Sequence, residues 1–169
     1  MLIMLILYSI KFVHSGDEPK GIESDKNLFI QVDGDIKNPG VYSFNQGPKL
    51  KDLIDKAGGV PPDEGCFDGL NHHNFHSGDK VNVSWDGEKW NVSVKAMSSF
   101  QKLTLGIPIS LNSETEIGLT AIPGVGPKLA KRIIEEKERR GGFKKLRDLM
   151  AVQGISAKKY IRIVPWITL

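Results

Sequence analysis

The 169-residue chain is 40% hydrophobic and 25% charged, a globular composition that excludes wholesale disorder. Its single cysteine, Cys66, excludes an internal disulfide and any zinc module built from several cysteines. The net charge of +3 is unevenly distributed: residues 111–169 hold 12 Lys and Arg against 6 Asp and Glu, whereas residues 1–110 hold 11 Lys against 14 Asp and Glu. This asymmetry predicts two modules, the second of which faces a polyanion.

The chain begins with an apolar run. Met1–Ile10 is nearly all Met, Leu and Ile, and Phe12 and Val13 continue it. A helix of this length spans about 20 Å, less than the roughly 30 Å hydrocarbon core of a bilayer. The length suits the core of a signal peptide, although the basic residues that usually precede one are missing. We expect an export signal or membrane anchor at 1–15, with a buried N-terminal helix as the alternative, and a polar linker at 16–27.

Residues 28–95 show the period-two alternation of half-buried strands. Gly58-Gly59 ends a short helical pattern, and Asp86-Gly87 predicts a tight turn between the last two strands. The predicted elements are strands at Leu28–Val32, Val41–Phe44, Val81–Trp85 and Trp90–Val94, and a helix at Leu50–Ala57. No clear period follows, so residues 96–108 are predicted to be a second linker.

Helical signals dominate residues 109–169. Ser113 and Glu116 have the spacing of a capping box, and Pro127 can open the next helix at its first position. Gly141-Gly142 ends that helix. Two further short helices are predicted at Leu146–Val152 and Ala157–Pro165.

This region also contains an internal repeat, in which positions 119–128 align with positions 149–158. Both copies read apolar, two spacers, apolar, spacer, Gly, apolar, small residue, spacer, Lys. Each copy is predicted to be helix, hairpin, helix, and because neither buries its apolar face alone, the two should pack as one four-helix unit. The matched pairs are Leu119 with Leu149, Ile122 with Val152, Gly124 with Gly154, Val125 with Ile155, Gly126 with Ser156 and Lys128 with Lys158.

A Gly-apolar-Gly hairpin that enters a helix is suited to binding phosphate. Glycines are predicted to adopt dihedrals that β-carbons disfavour and to let the main chain approach a ligand, while N–H groups converge at the helix N-terminus. The ligand would be nucleic-acid backbone phosphate, bound without reading bases. Ser156 in place of a second glycine predicts a weaker second hairpin. The predicted contacts are Gly124, Val125, Gly126, Lys128 and Lys131 in the first hairpin, and Gly154, Ile155, Ser156, Lys158 and Lys159 in the second.

Residues 109–169 resemble the tandem helix-hairpin-helix domain of the ComEA family of competence proteins. The resemblance rests on Ile109–Ser113, Ile122–Gly126, Gly142–Lys144 and Leu146–Leu149. It implies an all-α, DNA-binding domain.

Residues 28–84 resemble a soluble-ligand-binding β-grasp (SLBB) domain. The matching stretches are Val32–Gly34, Asn38–Tyr42, Ala57–Gly59 and Ser77–Val81.

Together the resemblances imply an α+β chain: a small β-grasp-like domain followed by the tandem hairpin domain. They also imply a non-enzymatic receptor for double-stranded DNA, without cofactor, that serves natural transformation. Such a receptor would lie outside the cytoplasmic membrane, beside the DNA-uptake channel or pilus machinery. It would be anchored through its N-terminal segment, or periplasmic or secreted if that segment is cleaved. Self-association through the SLBB domain stays open.

Other interpretations compete with this one. SLBB domains also occur in polysaccharide-export proteins, where the hairpins would serve assembly, and a cytoplasmic accessory subunit of a repair or recombination enzyme is a second rival. His72, His73 and His76 with Cys66 and Asp68 fit no strong zinc pattern, so a solvated loop is expected rather than a metal site. Trp85 and Trp90 are expected to form a cross-strand pair rather than a sugar-stacking surface. No nucleophile–base pair or paired carboxylates suggest catalysis.

Overall fold

The computed structural model of the chain describes residues 27–60 and 73–169. The predicted N-terminal segment 1–15 and linker residues 16–26 lie outside the described residues. So do Cys66, Asp68 and His72 of the histidine-rich loop.

The first module is a four-stranded sheet with one helix packed against it. The strand order is β2-β1-β3-β4, with β1 antiparallel to β2, β1 parallel to β3, and β3 antiparallel to β4. Alternate residues of the central strands β1 and β3, among them Ile30, Val32, Val81 and Val83, are fully buried and pack with Leu53 of the helix. The elements are β1 (Leu28–Gly34), β2 (Gly40–Phe44), α1 (Leu50–Lys56), β3 (Asp79–Trp85) and β4 (Trp90–Ala96). All of them were indicated by the sequence pattern.

The hairpin between β3 and β4 differs from the predicted tight turn. Trp85 pairs with Trp90, so four residues connect the strands, because the Asp86 carboxylate accepts the N–H groups of Glu88 and Lys89 and closes a wider loop. The expected tryptophan pair is confirmed, with ring centroids 5.1 Å apart.

The second module is helical and is closed by two very short strands. Pro127 opens its longest helix and Gly141, at a φ of 68°, ends it, both as predicted. The parallel pairing of Ile109 with Ile167, which joins the two ends of the module, has no counterpart in the sequence analysis. The elements are β5 (Ile109–Ser110), α3 (Glu116–Leu119), α4 (Pro127–Arg140), a 3-10 helix (Leu146–Ala151), α5 (Ala157–Ile163), a 3-10 turn (Val164–Trp166) and β6 (Ile167–Thr168).

The core of this module follows the internal repeat. Leu119 and Leu149 are both fully buried, and Ile133 of α4 has its counterpart in Ile163 of α5, also fully buried. Equivalent residues of the two copies therefore fill one shared core, as the repeat predicts.

The segment 96–108, predicted to be a linker, contains a helix, α2 (Ser99–Thr104). Ser98 caps it by accepting the N–H of Gln101. Leu103 packs against the core of the second module, while the Gln101 side-chain amide donates to Gln31 of β1 at 3.1 Å. The segment is thus a folded junction that touches both modules.

The predicted capping box at Ser113 and Glu116 is wrong. Helix α3 begins after Thr115, whose hydroxyl accepts the N–H of Gly118 at 3.0 Å. Thr115 holds the place in the first copy of the repeat that Lys145, the N-cap of the 3-10 helix, holds in the second. The N-caps of the two equivalent helices therefore occupy equivalent positions of the repeat.

Within the described ranges no helix has the length and apolarity to cross a membrane. In the same residues no three His, Cys, Asp or Glu side chains form a group that could hold a metal ion.

Candidate nucleic-acid interface

The first hairpin joins α3 to α4. Gly124 has a φ of +89°, in the left-handed region that glycine adopts without strain. Val125 is 3% exposed, and its N–H donates to the carbonyl of Ile122 at 3.0 Å. The turn is therefore held on the core by Val125.

The second hairpin repeats this geometry. Gly154 has a φ of +100°, Ile155 is 6% exposed, and its N–H donates to the carbonyl of Val152 at 3.1 Å. The left-handed glycine and the buried apolar residue thus take equivalent positions in both copies.

Gly126 does not adopt the unusual dihedrals expected of it. Its φ of −89° and ψ of 173° are extended backbone that any residue can adopt, and Ser156 has nearly the same values, −78° and 164°. A β-carbon built on Gly126 meets no protein atom within 4 Å. The fold therefore does not require a glycine here, and the effect of Gly126 is to leave the end of α4 bare.

The bare end of α4 presents unpaired donors. In the described part of the chain, neither the N–H of Gly126 nor that of Lys128 donates to another protein atom, and Pro127 has no N–H. The first N–H groups of a helix lie at the positive end of its dipole, which favours an anion. The geometry at α4 suits a phosphate oxygen approaching along the helix axis.

The second helix end offers a weaker version of the same arrangement. Ser156 places a side chain where Gly126 has none, and its hydroxyl accepts the N–H of Lys159 at 3.3 Å. Helix α5 has 7 residues against 14 in α4, so fewer aligned peptide dipoles act at its end. One feature instead favours the second helix end: Ala157 supplies an N–H at the position where the first copy has Pro127, which has none.

Lysine side chains surround both hairpins. Lys128, Lys131 and Lys158 are exposed and Lys159 is half-buried. Lys131 lies 4.0 Å from the Glu135 carboxylate, an exposed i,i+4 pair that leaves the ammonium accessible. The structure thus places every lysine of the predicted site beside one of the two hairpins.

Arg132 connects the two hairpins and was not among the predicted site residues. From the second turn of α4 its guanidinium donates to the carbonyl of Gln153 at 3.2 Å. The same guanidinium nitrogen is 3.3 Å from the position that a β-carbon on Gly154 would take. Arg132 therefore brings a positive charge to the second hairpin. The signal that could have found it is the repeat, which aligns Arg132 with Arg162.

Comparison with known families defines the class of protein. Residues 29–75 match the family model of the SLBB domain, and residues 106–168 match that of the helix-hairpin-helix motif. The fold and the hairpins described above thus define an SLBB domain followed by a helix-hairpin-helix domain, an α+β chain.

Full-length similarity then gives the family. The chain is 30% identical over 152 residues to ComE operon protein 1 of Bacillus subtilis (strain 168). The matched segment covers 89% of this chain and 74% of that protein. The chain therefore belongs to the ComEA family and has a competence-related DNA-binding role.

A second group of relatives shares only a short segment. Endonuclease/exonuclease/phosphatase family domain-containing protein 1 of Xenopus laevis and of Homo sapiens is 43% identical over 51 residues, 30% of this chain but 9% of those proteins. Because so little of those proteins is matched, the similarity says nothing of an activity in this chain.

Proposed function

We propose that this protein is a non-enzymatic receptor that binds double-stranded DNA independently of sequence. The observation that carries the proposal is the end of α4: free N–H groups at Gly126 and Lys128, no side chain at Gly126, and exposed lysines beside them. Phosphates are the part of DNA that such donors fit, and phosphate contacts position a protein without reading its sequence.

The two hairpins favour a duplex over a single strand. They lie at equivalent places of one repeat, and Val125 and Ile155 of the two turns pack in one hydrophobic core, so the spacing of the hairpins is fixed. A fixed pair of phosphate sites suits the two backbones that border a groove. The hairpins themselves expose glycines and bury Val125 and Ile155, and they present no aromatic ring on which an unpaired base could stack.

The proposal includes a place of action. The apolar segment 1–15 would export or anchor the protein, and the DNA-binding domain would face outside the cytoplasm, near a DNA-uptake channel or pilus machinery. Bound there, the protein would capture incoming DNA and oppose its backward movement. Protease treatment of intact cells that carry a C-terminally tagged chain tests this placement, because only an exposed domain loses its tag.

Charge reversal at the hairpins tests the binding mode. The pair Lys128→Glu and Lys131→Glu should weaken duplex binding more than the pair Lys158→Glu and Lys159→Glu, because the first hairpin ends in the longer, bare helix. The loss should be the same for duplexes of different sequence. Fluorescence anisotropy with labelled duplexes measures both effects, and circular dichroism checks that each variant is folded.

Two results would contradict the proposal. If the Lys128→Glu, Lys131→Glu protein is folded and binds duplex as tightly as the parent, the first hairpin is not part of the DNA interface. A greater loss from the second-hairpin pair reverses the proposed ranking.

A further inference from the structure

A second basic surface lies at the other end of α4. Lys144, Lys145 and Arg147 are exposed, and none of them pairs with a carboxylate among the described residues. The neighbouring Arg139 and Arg140 differ, because both bind Glu136 and thereby lower the pKa of its carboxyl to about 2. We call Lys144, Lys145 and Arg147 the far-end surface.

The loop that carries this surface is held in place by hydrogen bonds. The side chain of Asn112 both donates to the carbonyl of Phe143 at 2.9 Å and accepts its N–H at 2.8 Å. The Asp148 carboxylate accepts the N–H groups of Lys144 and Lys145 at 3.0 and 2.9 Å. The backbone is therefore fixed before any ligand binds, which reduces the entropy that binding would cost.

The far-end surface lies about one helix length from the phosphate site of the first hairpin. Helix α4 has 14 residues, which corresponds to about 20 Å at 1.5 Å per residue. The free N–H groups of Gly126 and Lys128 lie at the start of α4, and Lys144 follows its opposite end. This step rests on the proposed function, which places the first duplex at the hairpins.

The chemistry of the surface indicates a polyanion rather than a protein. Protein interfaces are centred on apolar or aromatic anchors, but here Phe143 is 3% exposed and Leu146 packs against the core. The described residues 27–60 and 73–96 of the sheet module hold seven Lys against seven Asp and Glu, so that module offers no acidic excess to complement it. The two lysines and the arginine face one nearby carboxylate, that of Asp148, which the charge of Lys145 stabilises, so the surface keeps a positive excess that suits the regular phosphates of a nucleic acid.

We propose that the far-end surface binds a second segment of double-stranded DNA, so that one chain bridges two duplex segments. Long DNA held at the hairpins supplies the second segment at high local concentration. The role of the surface would be to gather neighbouring parts of the captured polymer, at lower affinity than the hairpins.

A capture experiment with the full chain tests the proposal. A biotinylated 24-base-pair duplex is immobilised, the protein is bound, and a fluorescent second duplex is added at low salt. The parent protein should retain the second duplex, while the Lys144→Glu, Lys145→Glu variant should retain at least about tenfold less, because two of its three cations become anions. The same variant should bind the first duplex within about threefold of the parent, since its hairpins are intact.

The matched control reverses two exposed lysines of the sheet module, Lys51→Glu and Lys95→Glu, with the same change in net charge. It should capture the second duplex like the parent. The proposal is overturned if the control variant loses as much capture of the second duplex as the far-end variant. It is also overturned if the parent binds the first duplex but captures no second one. A loss of first-duplex affinity in the far-end variant as large as that of the hairpin variants overturns it as well.

Two further readouts separate the alternatives. Analytical ultracentrifugation of the bridged complex should show one chain for two duplexes, and two chains would assign bridging to self-association and overturn the proposal. Vesicles of phosphatidylglycerol and phosphatidylcholine in equal parts that bind the parent but not the far-end variant, without second-duplex capture, would assign the surface to a bilayer instead. Failure of the parent to bind the first duplex refutes the proposed function itself and is distinct from these results.

Discussion

Replacing Gly126 by alanine separates binding from folding more cleanly than any other single change at the first hairpin. The backbone at Gly126 is extended, at φ −89°, and an added β-carbon has no protein atom within 4 Å. Alanine is a poorer N-cap than glycine, by at most about 1 kcal/mol, and the smaller entropy of the unfolded chain offsets about 0.4–1 kcal/mol of this. The free energy of unfolding should therefore change by less than about 1 kcal/mol.

The effect of Gly126→Ala on binding should be larger. The new methyl group stands beside the free N–H groups of Gly126 and Lys128 and keeps a phosphate oxygen from approaching. A hydrogen bond to a charged group contributes about 1.5–3 kcal/mol, so loss of one such bond weakens binding roughly 10- to 150-fold. Gly126→Val should weaken binding further.

Anisotropy titration with a labelled duplex and thermal unfolding followed by circular dichroism measure the two effects. Gly124→Ala is the opposite case: at φ +89° the β-carbon costs about 1–2 kcal/mol of stability. Gly47→Ala, which also meets no atom within 4 Å, is the control that should change neither property. The reasoning is refuted if Gly126→Ala unfolds as readily as Gly124→Ala, or if it stays folded and binds duplex like the parent.

Three further predictions follow from the second module. Arg132→Gln should weaken duplex binding and reduce the magnitude of the log-affinity against log-salt slope by about 1, whereas Lys95→Gln should change neither; an unchanged slope in a folded Arg132→Gln protein would leave Arg132 only a structural role. Asp148→Asn should lower the melting temperature at pH 7, because the N–H groups of Lys145 and then Lys144 hold the pKa of this carboxyl below its usual 3.8. The difference in melting temperature between variant and parent should shrink as the pH falls below about 4 and the parent carboxyl becomes protonated. A difference that does not depend on pH would contradict the capping role. A fragment of residues 97–169 should melt at a higher temperature than one of residues 109–169, since only the longer one retains α2; equal melting temperatures would show that the packing of α2 contributes nothing.

Local sequence signals predicted most of both modules. The β1 and β3 patterns alternate because one face of each strand meets the core, and α4 carries its start and stop signals in Pro127 and Gly141. Turn chemistry at β3–β4 was less reliable. Asp86-Gly87 favours a two-residue turn, but the carboxylate of Asp86 finds better partners in the N–H groups of a four-residue loop.

Two elements escaped prediction: helix α2 and the β5–β6 pair. Helix α2 has six residues, and its one local signal was the capping box of Ser98 and Gln101. The pairing of β5 with β6 joins residues 58 apart, Ile109 and Ile167, and only the folded module brings them together.

The candidate site was predictable to the extent that it is local and repeated. The hairpins followed from the Gly-apolar-small pattern, which occurs once in each copy of the repeat. The extended backbone at Gly126 could not be predicted in this way. A glycine can be needed either for unusual dihedrals or for the close approach of a ligand, and only the three-dimensional structure distinguishes the two. Arg132 escaped because its partner Gln153 lies 21 residues away.

The central claim is that the protein binds duplex DNA through its backbone phosphates, and a salt titration of the full chain tests it most directly. Two hairpins with their lysines should contact about 4–6 phosphates, which predicts a log-affinity against log-salt slope of about −4 to −5 and a Kd in the micromolar range near physiological salt. Duplexes of unrelated sequence should give the same line. An affinity that does not depend on salt, or a preference of about tenfold or more for one duplex sequence, which phosphate contacts cannot produce, would contradict the account.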